Sequence, residues 1–176
     1  MSQKGENYIP VAFAEGKRRQ AFHVWGLTLV VVGLWTLAIV AAPVTRTSGL
    51  DGISNPLYTF FGYICHQLPE RSFHILGEQF GVCSRCFGIY FGLVIGVVVY
   101  PLWRVIDTIE PVARFWLFLS LIPIGIDWCL TALGIWENTQ ASRLITGLVL
   151  GFACATFILP ALVEIIRNFS LRNTRA

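Results

Sequence analysis

The sequence predicts an all-α membrane protein: four transmembrane helices, with a short interfacial helix and a hairpin in the first outer loop. Three observations carry that prediction. Hydrophobic residues make up 55% of the 176-residue chain and charged residues only 13%, where a soluble domain carries about 25% charged residues. Four stretches of membrane-crossing length are free, or nearly free, of Asp, Glu, Lys and Arg. Between the first two lies a turn-rich segment holding three of the 5 cysteines and two of the 3 histidines.

About 20 apolar residues cross the hydrocarbon core of a bilayer. Span one is the charge-free run Gln20 to Thr45, and span two runs from Cys86 to Trp103. Span three, Phe115 to Trp136, is interrupted only by Asp127; span four runs from Leu144 to Val163. Together they form one membrane domain over residues 20–167, between a mobile tail at 1–19 and a short tail at 168–176. No stretch is long enough for a separate soluble domain. Span one has a basic front, Lys17-Arg18-Arg19, and small residues at Ala41-Ala42. A signal peptide has these features too, but its apolar core is only about 7–15 residues. Span one is therefore expected to be retained.

Nine Lys and Arg residues lie in the N-terminal tail, the loop after span two and the C-terminal tail: Lys4, Lys17, Arg18, Arg19, Arg104, Arg114, Arg167, Arg172 and Arg175. The positive-inside rule then puts both termini in the cytoplasm and the cell membrane around the domain. The Cys/His loop, residues 43–86, falls on the outer face. The net charge of +3 is small and gives no reason to expect a nucleic-acid partner; membrane lipids are the expected surroundings.

Within that loop, Ser54 or Asn55 before Pro56 has the form of a helix start, a capping side chain followed by Pro at the first helical position. A helix over Pro56–Gln67 is too short to span and carries Leu57, Phe60, Phe61 and Ile64 for the interface. Pro69 stops it. Ser72 to Cys83 then suggests a hairpin turning at Gly77-Glu78, which would bring Cys83 back toward Cys65.

Small residues recur every four positions at Gly88, Gly92 and Gly96 of span two, and at Gly147, Gly151 and Ala155 of span four. Such faces let helices approach closely in lipid. They are expected to join spans two and four; a homodimer contact is their alternative use. In span three, Pro123 predicts a kink. Asp127 is costly there, about 2.5–3.5 kcal/mol on insertion scales. Arg143, at the outer start of span four, is its expected partner. The pair is either a structural tie or part of a site.

The chemistry concentrates at Cys83-Ser84-Arg85-Cys86. Two thiols at this spacing close a redox disulfide or hold one metal ion. A helix start and Arg85 both favour thiolate, which either use requires. Cys65 and His66 complete a Cys3His set, one accepted pattern for tetrahedral zinc, with His74 as the fallback ligand. A plain disulfide from Cys65 to Cys83 or Cys86 competes with this, because an outer face is often oxidising. Cys129 and Cys154, inside spans, are expected to serve packing. Gln67, Glu70, Arg71 and Tyr90 either orient ligands or belong to ordinary surface and core.

The stretch C-H-Q-x-P-E-R-S-F, followed by V-C-x-R-C-x-G-I-Y at the start of a span, resembles a family of small prokaryotic membrane proteins catalogued as a domain of unknown function. The likeness covers Cys65 to Gly92 and continues through Asp127 and Arg143 to Gly147. Where the family often has Pro before Val-Cys and Thr after the second Cys, this chain has Gly81 and Phe87. The resemblance implies a four-helix membrane protein with an outer Cys/His site and supplies no activity.

Two function classes follow. In the first, Cys65, His66, Cys83 and Cys86 hold zinc at the mouth of the bundle. If one ligand stays away, the open position permits chemistry on a lipid or isoprenoid substrate, with Asp127 as acid or base, Arg143 holding an anion and Arg85 as a further catalytic candidate. In the second, Cys83 and Cys86 pass electrons to a quinone, as in the disulfide-forming membrane enzymes that four spans and a C-x-x-C resemble. The absence of a second outer cysteine pair counts against it. A small transporter or accessory subunit is a third, weaker option, since no pair of broken helices marks a midplane site.

Overall fold

A computed structural model describes residues 11–108 and 112–173. Four helices are long and apolar enough to cross a membrane: α1 (Val11–Thr47), α3 (Ser84–Trp103), α4 (Phe115–Ala132) and α5 (Gln140–Asn173). A short α2 (Asp51–Gly62), a 3-10 turn (Pro69–Arg71) and a two-stranded hairpin fill the loop between α1 and α3. The outward faces of the spanning helices are apolar: Leu37, Leu102, Phe118 and Trp128 are among many large exposed hydrophobics. Such a surface suits lipid and not water.

The helices outrun the charge-free gaps. α1 reaches back to Val11, into the segment expected to be mobile, and α5 begins at Gln140 and runs to Asn173; residues 1–10 and 174–176 of the two tails lie outside the described residues. Charges mark where hydrocarbon ends, whereas a helix continues into the headgroup layer with long basic side chains lying along it. α4 is shorter than its gap, ending at Ala132, with Gly134 at φ +68 closing it.

α3 and α5 form the tightest pair, on the small faces expected from the sequence. A Cβ added at Gly92 would lie 2.4 Å from the carbonyl oxygen of Leu148, and one at Gly151 would lie 2.0 Å from that of Ile89. Backbone meets backbone there, and only glycine permits it. The faces on which a dimer contact was the alternative are thus buried within one chain. At the far end from the loop, Gln20 on α1 donates to the carbonyl of Ile166 on α5, and Ala21, Val24, Ile106 and Val163 form a small core.

The loop segment departs from expectation at α2. It starts at Asp51 rather than Pro56 and ends at Gly62 rather than Gln67. Ser54 is fully buried and donates to the carbonyl of Ala42 on α1 at 3.1 Å, so its hydroxyl does not cap α2. Asp51 in the first turn suits the helix dipole instead. The hairpin is present: β1 (His74–Ile75) pairs antiparallel with β2 (Glu78–Gln79), and Leu76-Gly77 forms the turn, one residue earlier than predicted. It is tied to its neighbours by Arg46–Glu78 at 3.6 Å and by the Tyr58 hydroxyl, which donates to the Gln79 carbonyl.

Candidate metal centre

Three sulfurs converge at the loop end of the bundle. Those of Cys65, Cys83 and Cys86 all lie within 4.8 Å of one another. Each arrives by a different local device. Cys65 follows α2, its N–H still bonded to the Phe61 carbonyl at 2.9 Å. Cys83 is the N-cap of α3, with extended backbone at φ −67 and ψ 160. Cys86 lies in the first turn of α3. The cluster sits at the edge of an apolar core of Ile39, Phe61 and Val82, flanked by Trp35 and Tyr90.

The surroundings favour thiolate at Cys83. The backbone N–H of Cys83 donates to the Cys65 sulfur at 3.2 Å. The Cys83 thiol is held far below its usual range. Hydrogen bonds from the Cys65 and Cys86 thiols contribute most, and the first-turn amides of Cys86 and Arg85 add to them against the opposing effect of burial. A helix N-terminus has this effect on cysteines in general.

Gln67 pins the turn that separates Cys65 from the hairpin. Its backbone is left-handed, at φ 48, which is unusual for a non-glycine residue. Its amide donates to the carbonyls of Tyr58 and Gly81, each at 2.8 Å. One side chain therefore holds α2 and the end of the hairpin at fixed distance, which sets where Cys65 meets Cys83. Gln67 is thus tied into the loop and is not an ordinary surface residue.

His66 is exposed and lies on the wall of the same cavity, but its imidazole does not join the three sulfurs. Adjacent side chains point apart: Cys65 turns inward to the core and His66 outward. His74 is exposed on β1 and stands outside the group as well. Cys129 is exposed on α4, not packed, and Cys154 is partly buried on α5.

The partner of Asp127 differs from the sequence expectation. Its carboxylate, 8% exposed, accepts from Arg85 of α3 and from the Asn138 amide at 3.0 Å. Arg143 binds the other side of Asn138, its Nε donating to Oδ1 at 2.8 Å. Both arginines share the depth of Asp127, but α3 presents Arg85 directly to it while Arg143 is reached through Asn138. The carboxylate does not line the cavity beside the sulfurs; Arg71, Arg85 and Arg143 do. Sequence reading missed Asn138 because a lone loop asparagine carries no periodicity. It also missed Gln140, whose amide donates to the Ser72 carbonyl at 3.1 Å and fixes α5 to the loop. Ser84 does the same for Arg71, donating to its carbonyl at 3.0 Å.

Residues 65–157 match the family DUF2085, described as "predicted membrane protein". The matched region begins at the first of the three thiols and includes the other two, Asp127 and Arg143. The chain is 40% identical over 114 residues to an uncharacterized protein of Methanocaldococcus jannaschii, covering 65% of this chain and 73% of that protein. It is 37% identical over 107 residues to an uncharacterized protein of Methanothermobacter thermautotrophicus, covering 58% and 93% respectively. No solved structure matches it.

Proposed function

This chain belongs to the DUF2085 family of multi-pass membrane proteins, and we propose that it binds a metal ion, zinc, through Cys65, Cys83 and Cys86. The convergence of the three sulfurs within 4.8 Å carries the reading. A zinc–sulfur bond of about 2.3 Å sets tetrahedral thiolates about 3.8 Å apart, so a small closure brings them to bonding geometry. Thiolate ligands select zinc, Cu(I) or iron–sulfur clusters, and zinc is the ion of tetrahedral mononuclear sites. The N–H donated to the Cys65 sulfur is the kind of outer contact that orients a ligating thiolate.

Cys65, Cys83 and Cys86 all line the cavity, so an ion they held would take its fourth ligand from there. Three protein ligands with one open position is the pattern of catalytic zinc. An oxygen of a lipid or isoprenoid substrate bound there would be polarised. Arg85 and Arg143 supply positive charge beside it, and Asp127 acts by holding Arg85. The excess of Lys and Arg in the segments flanking the other ends of the spans, Lys17, Arg18, Arg19, Arg104, Arg114 and Arg167 among them, supports an outer-face site and cytoplasmic termini under the positive-inside rule.

Elemental analysis of the purified full-length protein tests this. Wild type should carry about one ion per chain, Cys83→Ser should lose it, and His66→Ala should retain it. Loss in His66→Ala would mean that the imidazole swings in to complete a closed site. No stoichiometric metal, with three free thiols, ends the proposal. Metal-free protein with a redox-active Cys83–Cys86 pair would favour electron transfer to a quinone, although Cys129 and Cys154 do not join the described thiol cluster as a second pair.

A further inference from the structure

The cavity beside the sulfurs is rich in positive charge. Three arginines line it, Arg71, Arg85 and Arg143, and no acidic residue does among the described residues. They come from three elements: the 3-10 turn, the first turn of α3 and the first turn of α5. Arg71 and Arg85 are near enough for their charges to act on Arg143, and Cys83 and Asp127 oppose them. Like charges gathered at the edge of a bilayer repel one another and cost desolvation. Asp127 offsets Arg85 from outside the cavity. Glu70 stands 3.8 Å from Arg71, but the two side chains are 66% and 50% exposed, where such a pair contributes little. The Nε of Arg85 is buried and has no acceptor among the described residues, although buried donors normally find one. Two of the exposed residues that line the cavity are apolar. Ile64 and Leu68 are 46% and 37% exposed there.

We propose that this cavity binds a phosphate monoester group, with Arg71, Arg85 and Arg143 donating to its oxygens. Guanidinium forks match phosphate oxygens in geometry as well as charge. The cavity volume of about 370 Å³ holds a phosphate and the start of whatever it is attached to. Ile64 and Leu68 offer an apolar tail a path along the rim. The inference rests on the metal proposal for its location, since a phosphate oxygen there can reach the fourth metal position. It does not need the ion, because the three arginines are not ligands.

The test is calorimetric titration of the full-length protein in detergent with three probes: dihexanoyl phosphatidic acid, dihexanoyl phosphatidylcholine and inorganic phosphate. Phosphatidic acid is expected to bind and phosphatidylcholine to bind far more weakly. Arg143→Gln and Arg71→Gln should each weaken binding about tenfold, as loss of a charged hydrogen bond does. Arg71 is exposed enough that its variant guards against a folding artefact. Arg46→Gln removes the same charge at the same end outside the cavity and should change little. Phosphatidic acid binding tighter than inorganic phosphate identifies a lipid source; equal affinities identify the free ion. Absence of binding by both, or an equal loss in Arg46→Gln, overturns the proposal. Metal content measured on the same samples separates the two readings. Arginine-dependent binding without metal removes only the ion, and metal without phosphate binding removes only this inference.

Discussion

α5 is held by its two neighbours in opposite ways. Toward α3 it presents glycines, and the two backbones touch along the length of the pair. Toward α4 it presents an apolar cavity of about 590 Å³, bordered by Trp116, Pro123, Phe152 and Ala153. At the loop end of α4, Asp127 gathers Arg85 and Asn138. The first contact is made of shape and at Gly88, Gly92, Gly147 and Gly151 leaves no room for a side chain. The second depends on charge at one end and leaves space along the rest. α3 and α5 are thus the frame of the protein, and α4 is an attachment whose position depends on a few polar atoms beside the sulfurs.

The largest expected effect is at the frame. Gly151→Val places atoms inside the Ile89 carbonyl and should cost about 3 kcal/mol or more. The variant should fail to give a folded monomer by size exclusion or denaturant titration. Next comes Asp127→Asn. Breaking a buried ion pair costs about 3–5 kcal/mol; Arg85 keeps 21% of its side-chain surface, so about 2 kcal/mol is expected here after that discount. The loss should appear as faster thiol labelling and proteolysis of α4, with α3 and α5 still protected. Equal loosening of all three helices would mean that the two contacts are not separable. Gln67→Ala removes two hydrogen bonds and should cost about 1–2 kcal/mol, with a lower metal affinity as its specific sign. The smallest effect is at Ala153, two positions from Gly151. Ala153→Leu extends into the cavity and should shift stability by about 0.5 kcal/mol or less. A large loss there would close the gap between the two faces.

How much of this the sequence disclosed follows the same division. Period and composition report depth and face, so the four spans, the glycine seam and the shared depth of the thiols with Asp127 were legible. The two-residue spacing of the C-x-x-C and a turn between Ser72 and Cys83 were enough to bring Cys65 to Cys83. Rotation about the helix axes was not legible. Arg85 and Arg143 lie at one depth, and only the packed bundle decides which of them meets Asp127. Nor could the sequence say that the Ser54 hydroxyl would go to the Ala42 carbonyl and leave α2 to start at Asp51. Nor could it say that Cys65 would be buried and His66 exposed, or that Gln67 would adopt a left-handed backbone, a conformation that glutamine rarely adopts.

The two residues between Cys83 and Cys86 hold other parts of the molecule. Ser84 grips the carbonyl of Arg71, and Arg85 grips α4 through Asp127. A guest that drew the flanking sulfurs inward would therefore also act on a surface turn and on α4.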